Sequence, residues 1–461
     1  MNFAQLEFIV FLAIVVLVNA RISYPTPRKI VLLVASYYFY AYWDYRFAGL
    51  LVFSTLLDYT IGNLLNRFDR PTVRRTLLLT SLIGNLGLLG FFKYYNFFIE
   101  SAEAIFGQWG LSGTTLNIIL PIGISFYTFQ TLSYSIDVYR RTLRPCTSLL
   151  DFALYVAFFP QLVAGPIVRA SEFLPQLSRM LHPQPVQIYS GLAQLLRGFV
   201  KKVLIADHLA TFADPVFAAP DLYAWPTVVL AVLAYTGQIY GDFSGYSDIA
   251  IGSARLLGFE LPDNFRHPYL SRSPGDFWRR WHITLSTWLR DYLYIPLGGN
   301  RVGPFFTYRN LIITMTLGGL WHGASWNFVI WGLWHGGMLC LTRAWTTDPL
   351  ASLPRRIFET GITFSIVVIG WTLFRTSSID QFFTLWSQLI APYPGLLWLP
   401  PLPLIALALL MLEHAIWLTR YRSILDLPSD RWTTPWLVGF ALAALAIYAP
   451  TSFRPFVYFQ F

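Results

Sequence analysis

Apolar stretches follow one another along this chain with little polar sequence between them: 30–42, 50–64, 77–92, 116–135, 149–168, 186–200, 223–240, 311–321, 325–341, 361–374, 398–418 and 436–448. With 3–19 in front of them, they predict about 11–13 membrane helices at about 20 residues per crossing. Residues 8–18 resemble a signal-peptide core, but Glu7 precedes them and no Lys or Arg does, so 3–19 reads as a first membrane helix. Several segments are short or interrupted, as at Pro121-Ile122-Gly123 and Gly165-Pro166, which predicts broken, re-entrant or tilted helices. Broken backbone at membrane depth needs a cavity lined by protein. No linker, low-complexity tract or internal repeat divides the chain, so the expectation is an all-α polytopic membrane protein in one integral-membrane domain, 1–461.

Composition narrows the choice. Hydrophobic residues make up 55% of the 461 and charged residues only 12%, whereas a soluble domain carries about a quarter of charged residues. A soluble enzyme, a disordered chain and a disulfide scaffold are thereby excluded. Cys146 and Cys340 read as packing thiols. Basic residues gather after the first segment (Arg21, Arg28, Lys29), in the third loop (Arg67, Arg70, Arg74, Arg75) and at Arg140, Arg141 and Arg144. The positive-inside rule then predicts an external N-terminus and places those loops in the cytoplasm.

The net charge of +9 is unevenly spread. Between Arg266 and Arg309, seven Arg face only Asp276 and Asp291. Read as one helix, 278–294 sorts into a stripe of Trp281, Leu285, Trp288 and Tyr292 and an opposite stripe of Arg279, His282, Ser286 and Arg290. Such a helix lies at the membrane interface. Two readings remain open: Arg and Trp anchor it to anionic headgroups, or its Arg279, Ser286 and Arg290 face receives an anionic donor, for which guanidinium groups are suited.

Two Trp-His-Gly triplets, Trp321-His322-Gly323 and Trp334-His335-Gly336, fall within apolar sequence. An ionisable group at membrane depth is a candidate for function, although a lone neutral His is often a bonded core residue. On a continuous helix His322 and His335 stand about 20 Å apart, and no Asp, Glu or Cys lies beside them, so no metal site is expected. Trp326, four residues on, would share the face of His322 and give it an aromatic, dry pocket. A neutral imidazole, the state of a general base, is favoured there. Ser244, between Asp242 and Asp248, could be a nucleophile or part of a Gly-rich packing turn.

The run 241–248 with Asp263-Asn264-Phe265, the stretch Phe277-Trp278-Arg279-Arg280-Trp281-His282-Ile283-Thr284-Leu285-Ser286, and Leu320-Trp321-His322-Gly323 resemble the signature of the membrane-bound O-acyltransferases. Residues 120–130 and 158–167 are similar to the alginate O-acetyltransferase branch, which is related to the teichoic-acid D-alanyl transferases. The resemblance implies helices around a central tunnel, with His322 at the position of the essential histidine and His282 at that of a second, more variable one. Trp321, Trp326 and Asn327, beside His322 in the sequence, are expected to line that tunnel, and the resemblance leaves His335 structural. It further implies an acetyl group taken from a cytosolic thioester, acetyl-CoA or another acyl carrier, with no bound cofactor. The implied acceptor is an exopolysaccharide hydroxyl, as in alginate biosynthesis, or a periplasmic acetyltransferase partner; the setting is a bacterial inner membrane, with no role for nucleic acid. A transporter or flippase, and acetylation of peptidoglycan or cellulose, remain as alternatives.

Overall fold

The computed structural model describes residues 1–461 apart from 2, 4, 108–112, 164, 180–181, 346, 349, 392–393, 418–432, 450–453, 455 and 458–461. Residues 4, 164 and 418, within three of the expected apolar segments, thus lie outside the described residues. Regular structure among the described residues is helical, with one isolated bridge between Tyr223 and Leu396. The protein is all-α, as expected. Tyr45–Arg67, Pro71–Phe106 and Leu353–Arg375 are long and apolar enough to cross a bilayer, and Pro401–Ile416 and Thr434–Tyr448 are shorter apolar helices.

The chain folds as two compact units, Met1–Gly191 with Ala250–Pro262, and Leu192–Ile249 with Asp263–Phe461. The first holds α1 (Leu6–Arg21), α2 (Pro25–Ala41), α3 (Ala48–Arg67), α4 (Pro71–Leu89), α5 (Tyr95–Phe106), α6 (Ile124–Tyr139), α7 (Leu149–Ala157), α8 (Phe159–Leu162), α9 (Ala170–Arg179) and the start of α10 (Pro185–Phe199). Proline opens α2 and α4, where a missing N–H costs nothing. The apolar stretch 149–168 is broken at Phe158 into α7 and α8, and 116–135 becomes helical only from Ile124, after left-handed Gly123. Deep in this unit no cation among the described residues pairs with Asp58: its carboxylate accepts hydrogen bonds from Ser81 and Ser135 at 2.5 Å and from Asn85 at 2.7 Å, tying α3, α4 and α6.

The second unit contains the rest of α10, α11 (Asp207–Ala218), most of α12 (Trp225–Leu256), α13 (Pro274–Arg280), α14 (Ile283–Leu289), α15 (Pro304–His322), α16 (Trp326–Leu341), α17 (Leu353–Arg375), α18 (Ile379–Ile390), α19 (Pro401–Trp417) and α20 (Thr433–Tyr448). Two expectations need correction. The run 241–248 is not a turn but the buried middle of α12, which continues past the expected end at Tyr240. Likewise 278–294 is not one interfacial helix: it breaks between α13 and α14, and His282 is fully buried.

Two features make the middle of α12 possible. A Cβ on Gly245 would lie 2.9 Å from the carbonyl oxygen of Gly198, and one on Gly198 would lie 2.7 Å from that of Gly245, so the backbones of α10 and α12 touch. The two aspartates are neutralised from the π-turn Val200–Ala206 and from α10. Lys202 bridges Asp242 at 2.7 Å and Asp207 at 2.8 Å; Lys201 and Arg197 meet Asp248 at 3.1 and 2.9 Å.

Removing one member of a buried ion pair leaves its partner charged and dry, at a cost of about 3–5 kcal/mol. Lys202→Ala is therefore expected to lower the thermal unfolding midpoint of the detergent-solubilised protein clearly, and an unchanged midpoint would contradict this account of α12.

Candidate active site

Helix α15 ends at His322 because Gly323 is extended, and Ser325, also extended, starts α16. The two helices form a close hairpin: a Cβ on Gly319 would strike the carbonyl oxygen of Phe328, and one on Gly332 that of Met315. The break overturns the continuous helix used to place Trp326 beside His322. Trp326 begins α16 and is 56% exposed. The aromatic surroundings of His322 come instead from Trp331 at 5.1 Å, Phe374 at 5.3 Å and Trp321 at 5.1 Å between ring centres. Trp331 also meets His335 at 4.7 Å, so both histidines share one indole. Asn327 is buried and donates to the carbonyl of Thr376 at the end of α17.

His282 reaches the same place from another element. It lies between α13 and α14 in the left-handed region, with φ 42° and ψ 56°. Its ring centre is 6.4 Å from that of His322, 5.8 Å from Trp321 and 4.6 Å from Phe243 of α12. The two histidines, 40 positions apart in sequence, are thus brought together.

A cavity of about 240 Å³ opens beside His322. Leu311, Thr314, Met315 and Gly318, on the His322 face of α15, form one wall; Trp278, Leu285, Ser286, Leu289 and Arg290 form another; and Trp331 closes part of it. Of the residues expected on the donor side, Ser286 and Arg290 line the cavity. Arg279 does not: it is 73% exposed and turns towards Asp276 at 3.7 Å. Trp321, Trp326, Asn327 and His282 do not line it either. Much of the basic surplus is answered locally, since Arg272 pairs with Glu359 at 2.6 Å, Arg280 with Asp276 at 3.0 Å and Arg290 with Asp291 at 2.6 Å.

Trp331, Trp278 and the 311–318 face were not singled out from sequence. The face is legible once His322 ends a helix, because counting back 4, 7, 8 and 11 residues gives Gly318, Met315, Thr314 and Leu311. Trp331 needed the hairpin.

A further cluster in this unit, His267, Glu413 and His414, has ligand atoms within 4.8 Å of one another. Lys201, 3.2 Å from Glu413, already supplies a cation there, and the Tyr240 hydroxyl stands 3.4 Å away. Charge is balanced without an added ion, so the group reads as an ion network. Ser244 is buried within α12, apart from the cavity-lining residues.

Helices of membrane-spanning length, a buried histidine pair and an apolar cavity ending on one imidazole define a membrane enzyme suited to group transfer away from bulk water. Residues 141–371 match the membrane-bound O-acyltransferase family. The chain is 45% identical to "Probable alginate O-acetylase AlgI" of Azotobacter vinelandii, over 79% of this chain and 73% of that protein. It is 46% identical to the protein of the same name from Pseudomonas aeruginosa, over 77% and 68%, and 39% identical to "Peptidoglycan O-acetyltransferase" of Helicobacter pylori, over 79% and 74%. The chain belongs to the membrane-bound O-acyltransferase family and is a multi-pass membrane O-acyltransferase; the transporter reading is set aside.

The two tryptophans make a test. Trp331→Ala removes a cavity wall against His322 and is expected to lower acyl transfer by about 100-fold, the scale of a misplaced catalytic group. Trp326→Ala should stay within about 3-fold, because surface positions away from a site contribute little. Equal losses in a reconstituted transfer assay would contradict the assignment of the wall.

Proposed function

We propose that this protein transfers an acetyl group from a cytosolic thioester, acetyl-CoA being the simplest, to a hydroxyl of an extracytoplasmic polysaccharide of alginate type, directly or through a periplasmic acetyltransferase. Its setting is a bacterial inner membrane, where a cytosolic donor and an external acceptor meet across one bilayer. The observation that carries the reading is the cavity that ends on His322 and has Arg290 and Ser286 on its wall. The cavity is apolar over most of its lining, which suits the uncharged end of an acyl thioester, and Arg290, paired with Asp291 yet more than half exposed, can turn its guanidinium to the anionic part of such a donor.

His322 acts as general base. It takes the proton of the attacking hydroxyl as the new ester bond forms to the acetyl carbon, and the carbon–sulfur bond breaks as the thiolate departs. That proton then passes to the thiolate, so the products are ester and free thiol. His282, with its ring centre 6.4 Å from that of His322, steadies the imidazole and the charge it gains. The aromatic surroundings exclude water, which would otherwise hydrolyse the thioester.

A second acceptor, peptidoglycan, is favoured by the 39% identity to the Helicobacter pylori protein named for it. Purified protein given radiolabelled acetyl-CoA and a panel of glycans separates the two by where the label appears.

Two outcomes are expected. His322→Ala should insert normally yet lose at least about 1000-fold in transfer, within the range for removing a general base; retained transfer would end the assignment. Arg290→Gln should raise the donor KM about 10-fold, the scale of one charge-assisted hydrogen bond, whereas Arg279→Gln leaves it unchanged; the reverse pattern would place the donor on the α13 face.

A further inference from the structure

We propose that Asn264 is a positioning residue that holds His282, and that its effect on turnover passes through that histidine; the inference rests on the role of His282 in the proposed function.

His282 adopts a backbone conformation that non-glycine residues avoid, and such a conformation persists only where the surroundings fix it. It also immediately precedes α14, whose first amides need acceptors. The His282 side chain makes no capping bond to that helix. Asn264 takes over this task from a separate segment. Its backbone oxygen accepts the N–H of Ile283 at 3.0 Å, and its side-chain Oδ1 accepts both the N–H of Thr284 at 3.2 Å and the Thr284 hydroxyl at 2.8 Å. On the other flank of His282, the N–H of Arg266 donates to the carbonyl of Arg280 at 3.0 Å. The 264–266 segment thus grips the backbone on both sides of the left-handed residue.

The remaining end of the Asn264 amide reaches α12. Its Nδ2 donates to the Ser247 hydroxyl at 3.4 Å, and Ser247 lies one turn beyond Phe243, whose ring meets His282 edge-on at 4.6 Å. Asn264 is 1% exposed and joins the helix that contacts the imidazole to the helix that starts at it. An amide suits this place because it accepts on one side and donates on the other, with no charge to bury. Asp263-Asn264-Phe265 therefore acquires a physical task distinct from that of the histidines.

The test uses the purified full chain in lipid nanodiscs, with radiolabelled acetyl-CoA and a polysaccharide acceptor. Asn264→Ala is expected to lower kcat about 100-fold while the donor KM stays within about 3-fold, because the cavity is untouched and only the geometry behind it slips. Asn264→Asp keeps both acceptor contacts to Thr284 and can accept from the Ser247 hydroxyl as well, which offsets its charge as the donors around Asp58 do, so it should retain at least about a tenth of kcat; it also serves if the Ala variant fails to insert. In a His282→Ala background, adding Asn264→Ala should cost less than about 3-fold further, since residues acting as a unit are not additive. If His282→Ala lowers kcat and the two losses multiply, or either Asn264 variant departs from its expected kcat, the positioning role is overturned while that of His282 stands. If His282→Ala leaves kcat unchanged, the role of His282 fails and the inference fails with it.

Discussion

Every polar group that this chain takes away from water must find its partner inside the protein, because lipid offers none. That constraint shapes the second unit. Asp242 and Asp248 lie in the middle of α12 only because Lys202, Lys201 and Arg197 reach them from the neighbouring helix and its π-turn. The π-turn helps to bring two successive lysines to two carboxylates six residues apart on one helix. With α12 so anchored, Phe243 stands one residue beyond Asp242 and presents its ring to His282. The fold supports the histidine pair through buried electrostatics rather than through a shared helix.

The same logic separates the ionisable groups by task. Asp151 is paired with Lys29 at 2.7 Å, Glu413 with Lys201 at 3.2 Å, and Asp58 is ringed by hydroxyl and amide donors. Each of these three acids is committed to a contact that holds elements together. His322 differs in lining a cavity, and Arg290, on another wall of it, is more than half exposed. A buried imidazole beside a mostly apolar cavity, with a guanidinium on its wall, suits the group transfer proposed for it.

Much of this was legible in the sequence. The all-α membrane class followed from apolar periodicity, and His322 and His282 stood out as histidines within Trp-rich apolar runs. Local periodicity failed where backbone breaks decide the geometry. Trp326 has the spacing of a neighbour of His322 but sits across the Gly323–Ser325 break, while Trp331, with no such spacing, folds back onto the ring. The amphipathic stripe at 278–294 was similarly misleading, because the left-handed turn at His282 carries the imidazole from an assumed polar face into the core. Arg279 and Arg290 parted at that turn. Asn264 could not have been weighted from sequence, since its task depends on a segment 18 positions away from His282 pairing with it in space.

On this reading acyl transfer happens where the cavity meets His322. The most direct measurement is an electron cryomicroscopy structure with a non-transferable acetyl-CoA analogue, in which methylene replaces the thioester sulfur. The analogue's carbonyl carbon is expected within about 4 Å of the His322 ring, consistent with hydrogen-bonding reach of an attacking hydroxyl, and its pantetheine arm between Ser286 and Gly318. An analogue bound elsewhere, with this cavity left empty, would contradict transfer at His322.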